Sequence, residues 1–253
     1  MPSKPEQYMS TILSELPKDL PRPVDDGAAA HLQGMSLPMI LLPATNGTSV
    51  DLAGIPGWVV IYIYPMTGRP GMPLPEGWDG IPGARGCTPQ SCAFRDHYSE
   101  LKSLNTSVFG LSTQTTAYQK EARDRLHLPF ELLSDSEYRL KQLLRLPTFA
   151  VAGMELYKRL TLISENARIR KVFYPVFPPD QNADDALEVL PRRSFPAFAT
   201  GTQRPRLTGC ARRSGLSGNS SCLARTAPSP TLSSHSGTEW SCSGRPPIAS
   251  SVD

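Results

Sequence analysis

Cys87 and Cys92 stand five residues apart in the stretch GARGCTPQSCAFRDH (83–97), in a chain of 253 residues with five cysteines in all. The thiolate, rather than the thiol, is the nucleophile and the metal ligand, so the surroundings decide what such a pair does. Thr88 followed by Pro89 reads as a helix start, with Thr88 as cap and Pro89 at the first helical position. Cys87 then lies directly before that helix or in its first turn, where free backbone N–H groups and the positive end of the dipole favour thiolate. Cys92 is a turn deeper, rotated by about 140° and roughly 8–9 Å away between Cα atoms in ideal geometry, beyond the ~7 Å reach of a disulfide. Cross-linking the two therefore requires the first turn to unwind. Three chemistries fit the residue types. The cysteines read as two small apolar residues of a helix. They also fit a redox pair, in which the Cys87 thiolate opens an O–O bond and the resulting sulfenic acid condenses with Cys92. With His97 they would make a metal-ligand set, although that spacing matches none of the usual zinc patterns.

The elements that must position the pair follow from local pattern. MILLPATNGTSVDLAG (39–54) reads as two short strands around Asn46-Gly47, a dipeptide that tolerates positive φ at a tight turn. WVVIYIY (58–64) is β-branched and aromatic throughout, as a central strand buried on both faces requires, and it stops at Pro65. A Gly/Pro-rich loop leads to the cysteine helix, which the pattern extends to Leu101 or Leu104. SVFGLS (107–112) is the next strand; Thr116 with Gln119 and Ser134 with Glu137 read as capping boxes of two further helices, with FELL (130–133) extended between them. RLTLI (159–163) and RIRKVF (168–173) make an antiparallel hairpin, and Asp180 caps a last helix to Leu190. The order predicts an α/β mixed sheet flanked by helices, for which a thioredoxin-like fold is a fit.

Composition divides the chain into three. Residues 1–35, broken by Pro17, Pro21 and Pro23, read as an N-terminal arm; residues 36–190 form the domain; residues 191–253 form a low-complexity tail expected to be disordered. The tail has eight arginines, no lysine and two acids, whereas residues 1–190 carry 18 basic against 21 acidic groups, so the net charge of +3 belongs to the tail. The body thus shows no electrostatic footprint for nucleic acid. The tail reads as a segment joined to a complete domain by read-through or a misassigned exon, with an RNA- or membrane-binding arm as the rival reading; its Cys210, Cys222 and Cys242 lack metal-site spacing. No segment reads as a targeting peptide or membrane span, so a cytoplasmic protein with reduced thiols is expected.

The ordered series of segments resembles the peroxiredoxins, the alkyl hydroperoxide reductase/thiol-specific antioxidant family. Cys87-Thr88-Pro89-Gln90-Ser91-Cys92 with Arg95-Asp96 is similar to the bacterioferritin-comigratory-protein or Q-type branch. The strand ending Tyr64-Pro65, VFGLST, LPFELLSD (128–135) and Arg159-Leu160-Thr161-Leu162-Ile163 follow in family order. The resemblance implies a peroxidase with Cys87 as peroxidatic and Cys92 as resolving cysteine, and with Arg159 holding the thiolate and polarising the peroxide. It implies hydrogen peroxide or organic hydroperoxides as substrates, thioredoxin or a similar dithiol as donor, a monomer or homodimer, and no metal or organic cofactor.

Two departures from the family pattern stand out. The family's proline and threonine ahead of the cysteine are Gly80 and Ala84 here, and Pro65 lies 22 positions before Cys87 where the branch usually has about eight. The missing threonine hydroxyl would have oriented the peroxide, a task left to Thr88, Thr67 or a backbone amide. In the inserted loop, Trp78 reads as a packed aromatic, a shield of the site or a contact for the apolar part of a hydroperoxide. His97 reads as a solvated helix-face residue. Exchange with protein disulfides and a non-enzymatic redox sensor on the same fold are the alternative functions.

Overall fold

The computed structural model describes residues 19–191. The first 18 residues of the expected arm lie outside it, as does the tail from residue 192, including its three cysteines. Strands β1 (Leu41–Pro43) and β2 (Ser49–Asp51) pair antiparallel. Their turn is built by Asn46, whose Oδ1 accepts from the Thr48 amide at 3.0 Å, and by Gly47 at φ 85°, as the dipeptide predicted. β3 (Trp58–Ile63) is the centre of a five-stranded sheet. It pairs parallel with β4 (Thr106–Ser112), which pairs parallel with β5 (Leu132–Ser134). On its other side β3 pairs antiparallel with β8 (Leu160–Glu165), itself hairpinned to β9 (Arg168–Phe173). This is the thioredoxin-like mixed sheet, with helices against it.

The alternation of β3 explains its unbroken hydrophobicity. Val59, Ile61 and Ile63 enter one core with Leu32, Leu42, Leu111 and Leu162; Val60 and Tyr62 enter the opposite one with Cys87, Phe94, Leu101 and Ala186. The second core is covered by α1 (Cys87–Asp96), α2 (Tyr98–Ser103) and, near the end of the described residues, α5 (Asn182–Val189). Helices α3 (Thr116–Arg125) and α4 (Arg139–Leu144) complete the order. No helix among the described residues is long and apolar enough to cross a membrane.

Several local expectations are corrected. The predicted long cysteine helix breaks at His97 into α1 and α2. Its cap is Gly86, at φ 101°, so Cys87 rather than Pro89 is the first helical residue. Thr115 rather than Thr116 caps α3, accepting from the Tyr118 amide. Ser134 ends β5, and α4 is opened instead by the Asp135 carboxylate, which accepts from the Leu140 and Lys141 amides. Asp180 falls in a 3-10 turn (Pro179–Gln181) ahead of α5 and makes no side-chain cap. A hairpin of β6 (Thr148–Val151) and β7 (Met154–Tyr157), turning at Ala152-Gly153, was not foreseen. Nor is the described part of the arm free: Leu32 is fully buried in the first core, Gly34 donates to Ile169 and Asp26 binds Lys158 and Tyr174.

Gly110, in β4, faces a tight neighbourhood: a Cβ there would stand 2.5 Å from a Leu132 methyl and 2.7 Å from the Tyr62 ring. Tyr62 is pinned by stacking on Phe94, with ring centroids 4.6 Å apart, so it has little room to give. Gly110→Ala is therefore expected to destabilise the fold by about 1–3 kcal/mol, read as a lower urea midpoint at unchanged slope; an unchanged midpoint would show that the sheet relaxes freely.

Candidate active site

The site forms at the carboxyl ends of β3 and β4, where open α/β sheets place their crevice. Chain order brings its parts there. Antiparallel register sets Leu160 opposite Ile63, so Arg159, the residue before β8, lies beside the point where β3 releases the loop to Cys87. Gly83 and Gly86, at φ 77° and 101°, let that loop turn its carbonyls towards the arginine, a backbone state that a β-carbon disfavours.

Cys87 begins α1 with only 4% of its surface exposed. Gly86 accepts the first intrahelical bond, from Gln90, and Pro89 has no N–H, so the amides of Cys87 and Thr88 are the helix's orphan donors. The buried Arg159 guanidinium supplies the opposing charge: one Nη2 stands 3.2 Å from Cys87 Sγ. The same guanidinium donates to the carbonyls of Gly83 (3.3 Å), Ala84 (3.2 Å) and Arg85 (2.9 Å) and to Gln90 Oε1. As a thiol, Cys87 points at the Ala84 carbonyl, 3.7 Å away; as a thiolate it can only accept, and Arg159 is the donor in reach.

A second line of contacts holds the helix. Gln90 Nε2 donates to Asn182 Oδ1 at 2.9 Å, and Thr161 donates to that same oxygen at 2.6 Å, linking α1, α5 and β8. Tyr62 donates to Ser91 at 3.2 Å. Gln90 and Asn182 carry no signature that motif reading could use; that Gln90 is one turn beyond Cys87 was the available signal. Cys92 is half-buried against the second core, and both cysteines are free thiols. Burial pushes the Cys92 thiol above its ordinary range, with the nearby Arg95 pulling the other way.

The remaining candidates separate. Thr88 is buried and lines the narrow cleft at Cys87, whereas Thr67 is engaged elsewhere, its amide and hydroxyl both donating to Gln114. His97 faces Asp184 at 3.2 Å and Glu100 at 3.6 Å rather than the cysteines. No cluster of three or more His, Cys, Asp or Glu side chains among the described residues is placed to hold a metal.

Comparison with known proteins gives this geometry its relatives. Residues 32–190 match the family model described as Redoxin. The chain is 28% identical over 162 residues to peroxiredoxin Q, chloroplastic, of Suaeda salsa, covering 62% of this chain and 67% of that protein. It is 35% identical over 130 residues to peroxiredoxin bcp1 of Schizosaccharomyces pombe, covering 49% and 59%. Among solved structures, peroxidoxin BcpB from Mycobacterium tuberculosis superposes with a TM-score of 0.52 at 25% identity, over 62% of this chain and 95% of that one. The aligned part spans about two thirds of the plant relatives' length. A match of this extent, running through both cysteines and the arginine strand, shows that the chain belongs to the redoxin family, and its relatives there are peroxiredoxins of the Q and bcp type.

Proposed function

We propose that the protein is a thiol peroxidase in which Cys87 attacks the peroxide, Arg159 stabilises the reacting charges and Cys92 resolves the product. The observation that carries this reading is the guanidinium 3.2 Å from a buried sulfur at a helix N-terminus. The Cys87 thiolate attacks one peroxide oxygen; an S–O bond forms as the O–O bond breaks. Sulfur is oxidised by two electrons to sulfenic acid, and the departing oxygen takes a proton and leaves as water or alcohol. A fixed guanidinium suits this step because its planar fork can hold the thiolate and donate to the oxygens as charge moves onto them. Thr88 orients the peroxide from the cleft wall.

Cys92 then attacks the sulfenic sulfur, giving a disulfide and water, and a reduced dithiol such as thioredoxin returns both thiols by exchange. Both cysteines lie in one helix, so the second step needs α1 to open at its first turn. Opening also exposes Cys92 and relieves the burial that disfavours its thiolate.

Peroxide consumption under thioredoxin and thioredoxin reductase tests the assignment. Cys87→Ser is expected to be inactive, and Cys92→Ser to react once without sustained turnover. Arg159→Met is expected to lose roughly 10²–10³-fold in rate, the usual magnitude for removing a preorganised charge donor. A wild-type rate no faster than that of Cys87→Ser would refute the reading, and insulin reduction without peroxide consumption would favour disulfide exchange.

The raised pKa of Cys92 sets a pH dependence. In reduced Cys87→Ser protein less Cys92 is thiolate at any given pH than in free cysteine, whose pKa is about 8.5. Its alkylation by iodoacetamide should therefore rise with a midpoint above that value, and a midpoint at or below it would contradict the assigned environment.

A further inference from the structure

The insertion between Pro65 and Cys87 is folded rather than slack. Its Trp78 is 3% exposed, opens a short 3-10 turn (Trp78–Gly80) and packs with Ala84 and Leu156 in a third apolar cluster, its ring 6.2 Å from that of Phe149. Asp79 ties the turn to Arg85 at 3.0 Å, two residues before the reactive cysteine. Ala84 is completely buried there. A threonine at 84 would place a hydroxyl inside the cluster that Trp78 builds, so the alanine and the insertion fit each other.

The consequence is a very small cleft at Cys87. Bounded by Met66, Leu74, Trp78, Ala84 and Thr88, it holds about 20 Å³. A water needs roughly 10–15 Å³, so the space holds one or two small oxygen centres, and a branched or aromatic carbon group beside the sulfur would have to press on the lining or extend out through the open side. A roomier open pocket of about 450 Å³ shares Met66, Gly68 and Leu74 with that cleft and is lined also by Met72, Tyr118 and Met154, but neither Cys87 nor Trp78 lines it. Leu74 and Met66 are the side chains that border both the roomy space and the cleft at the sulfur.

Resting on the peroxidase reading above, we infer that the inserted loop makes Cys87 selective for unsubstituted hydrogen peroxide, with Trp78 and Leu74 as the residues that exclude alkyl and aryl hydroperoxides. The peroxide group enters the cleft beside Thr88, and a substituent on its second oxygen meets the Trp78 ring or the Leu74 side chain. Trp78 is held from behind by Phe149 and Leu156, so it cannot simply swing inward, and admitting bulk requires the loop to lift as a unit.

The test is the second-order rate constant of full-length wild type, Trp78→Ala and Leu74→Ala with hydrogen peroxide, tert-butyl hydroperoxide and cumene hydroperoxide. Wild type is expected to favour hydrogen peroxide over cumene hydroperoxide by more than ~100-fold, and each variant to narrow that ratio by ~10-fold or more, the scale on which a pocket discriminates added carbon. Trp78→Phe, which keeps an aromatic core residue, gives an intermediate ratio and serves if the alanine variant does not fold. Similar wild-type constants for all three peroxides, or a ratio unmoved in the folded variants, would overturn the selectivity and leave the peroxidase standing. No consumption of any peroxide by wild type would overturn both.

Discussion

The Arg159 guanidinium is a charge placed almost wholly out of water, and the cysteine loop takes its shape from the need to satisfy it. An unpaired buried charge costs several kcal/mol, so each N–H must meet an acceptor of the protein's own. Those acceptors are the Gly83, Ala84 and Arg85 carbonyls, Gln90 and the Cys87 sulfur, all within eight residues of one another. The positive φ of Gly83 and Gly86 is the backbone's answer to that demand. In turn the arginine's own place follows from β8 lying antiparallel to β3, which puts the start of one strand beside the end of the other.

The same contacts create an opposing requirement. A reactive sulfur benefits from a rigid, buried setting, yet the disulfide with Cys92 proposed above would demand that the rigid turn open. Opening breaks the Gln90 bonds to Arg159 and Asn182 and the Tyr62 bond to Ser91. At about 1 kcal/mol net for each, the cost is on the order of 3 kcal/mol, small enough that a minor open population could carry the proposed resolving step. A helix tethered this way can both hold a thiolate and surrender it.

The sequence made the strands readable where periodicity was forced by burial on both faces, as in Trp58–Ile63, and made the Asn46-Gly47 turn readable because few residues tolerate its backbone. The cysteines and Arg159 could be singled out because reactive residue types at set spacing follow a recognisable family order, and the fold does bring the guanidinium to the Cys87 sulfur. What escaped is whatever depends on partners distant in sequence. The β6–β7 hairpin has only a short Ala152-Gly153 turn as a signal, and Asn182 joins Thr161 and Gln90 through contacts no local pattern encodes. Thr115 caps in place of Thr116 and Asp135 in place of Ser134 because capping residue types cluster at these helix starts and tertiary contacts choose among them, whereas α5 has no side-chain cap at all. Ala84 looked from sequence like a missing hydroxyl; packed beneath Trp78 it is also the space that the insertion needs.

The most direct measurement is intact mass with peptide mapping after the reduced protein meets one equivalent of hydrogen peroxide. The account predicts the loss of two hydrogens, mapped to a bond between Cys87 and Cys92. A stable gain of one oxygen on Cys87 with Cys92 still a free thiol would contradict it, because the helix would then hold the sulfenic acid without opening to resolve it.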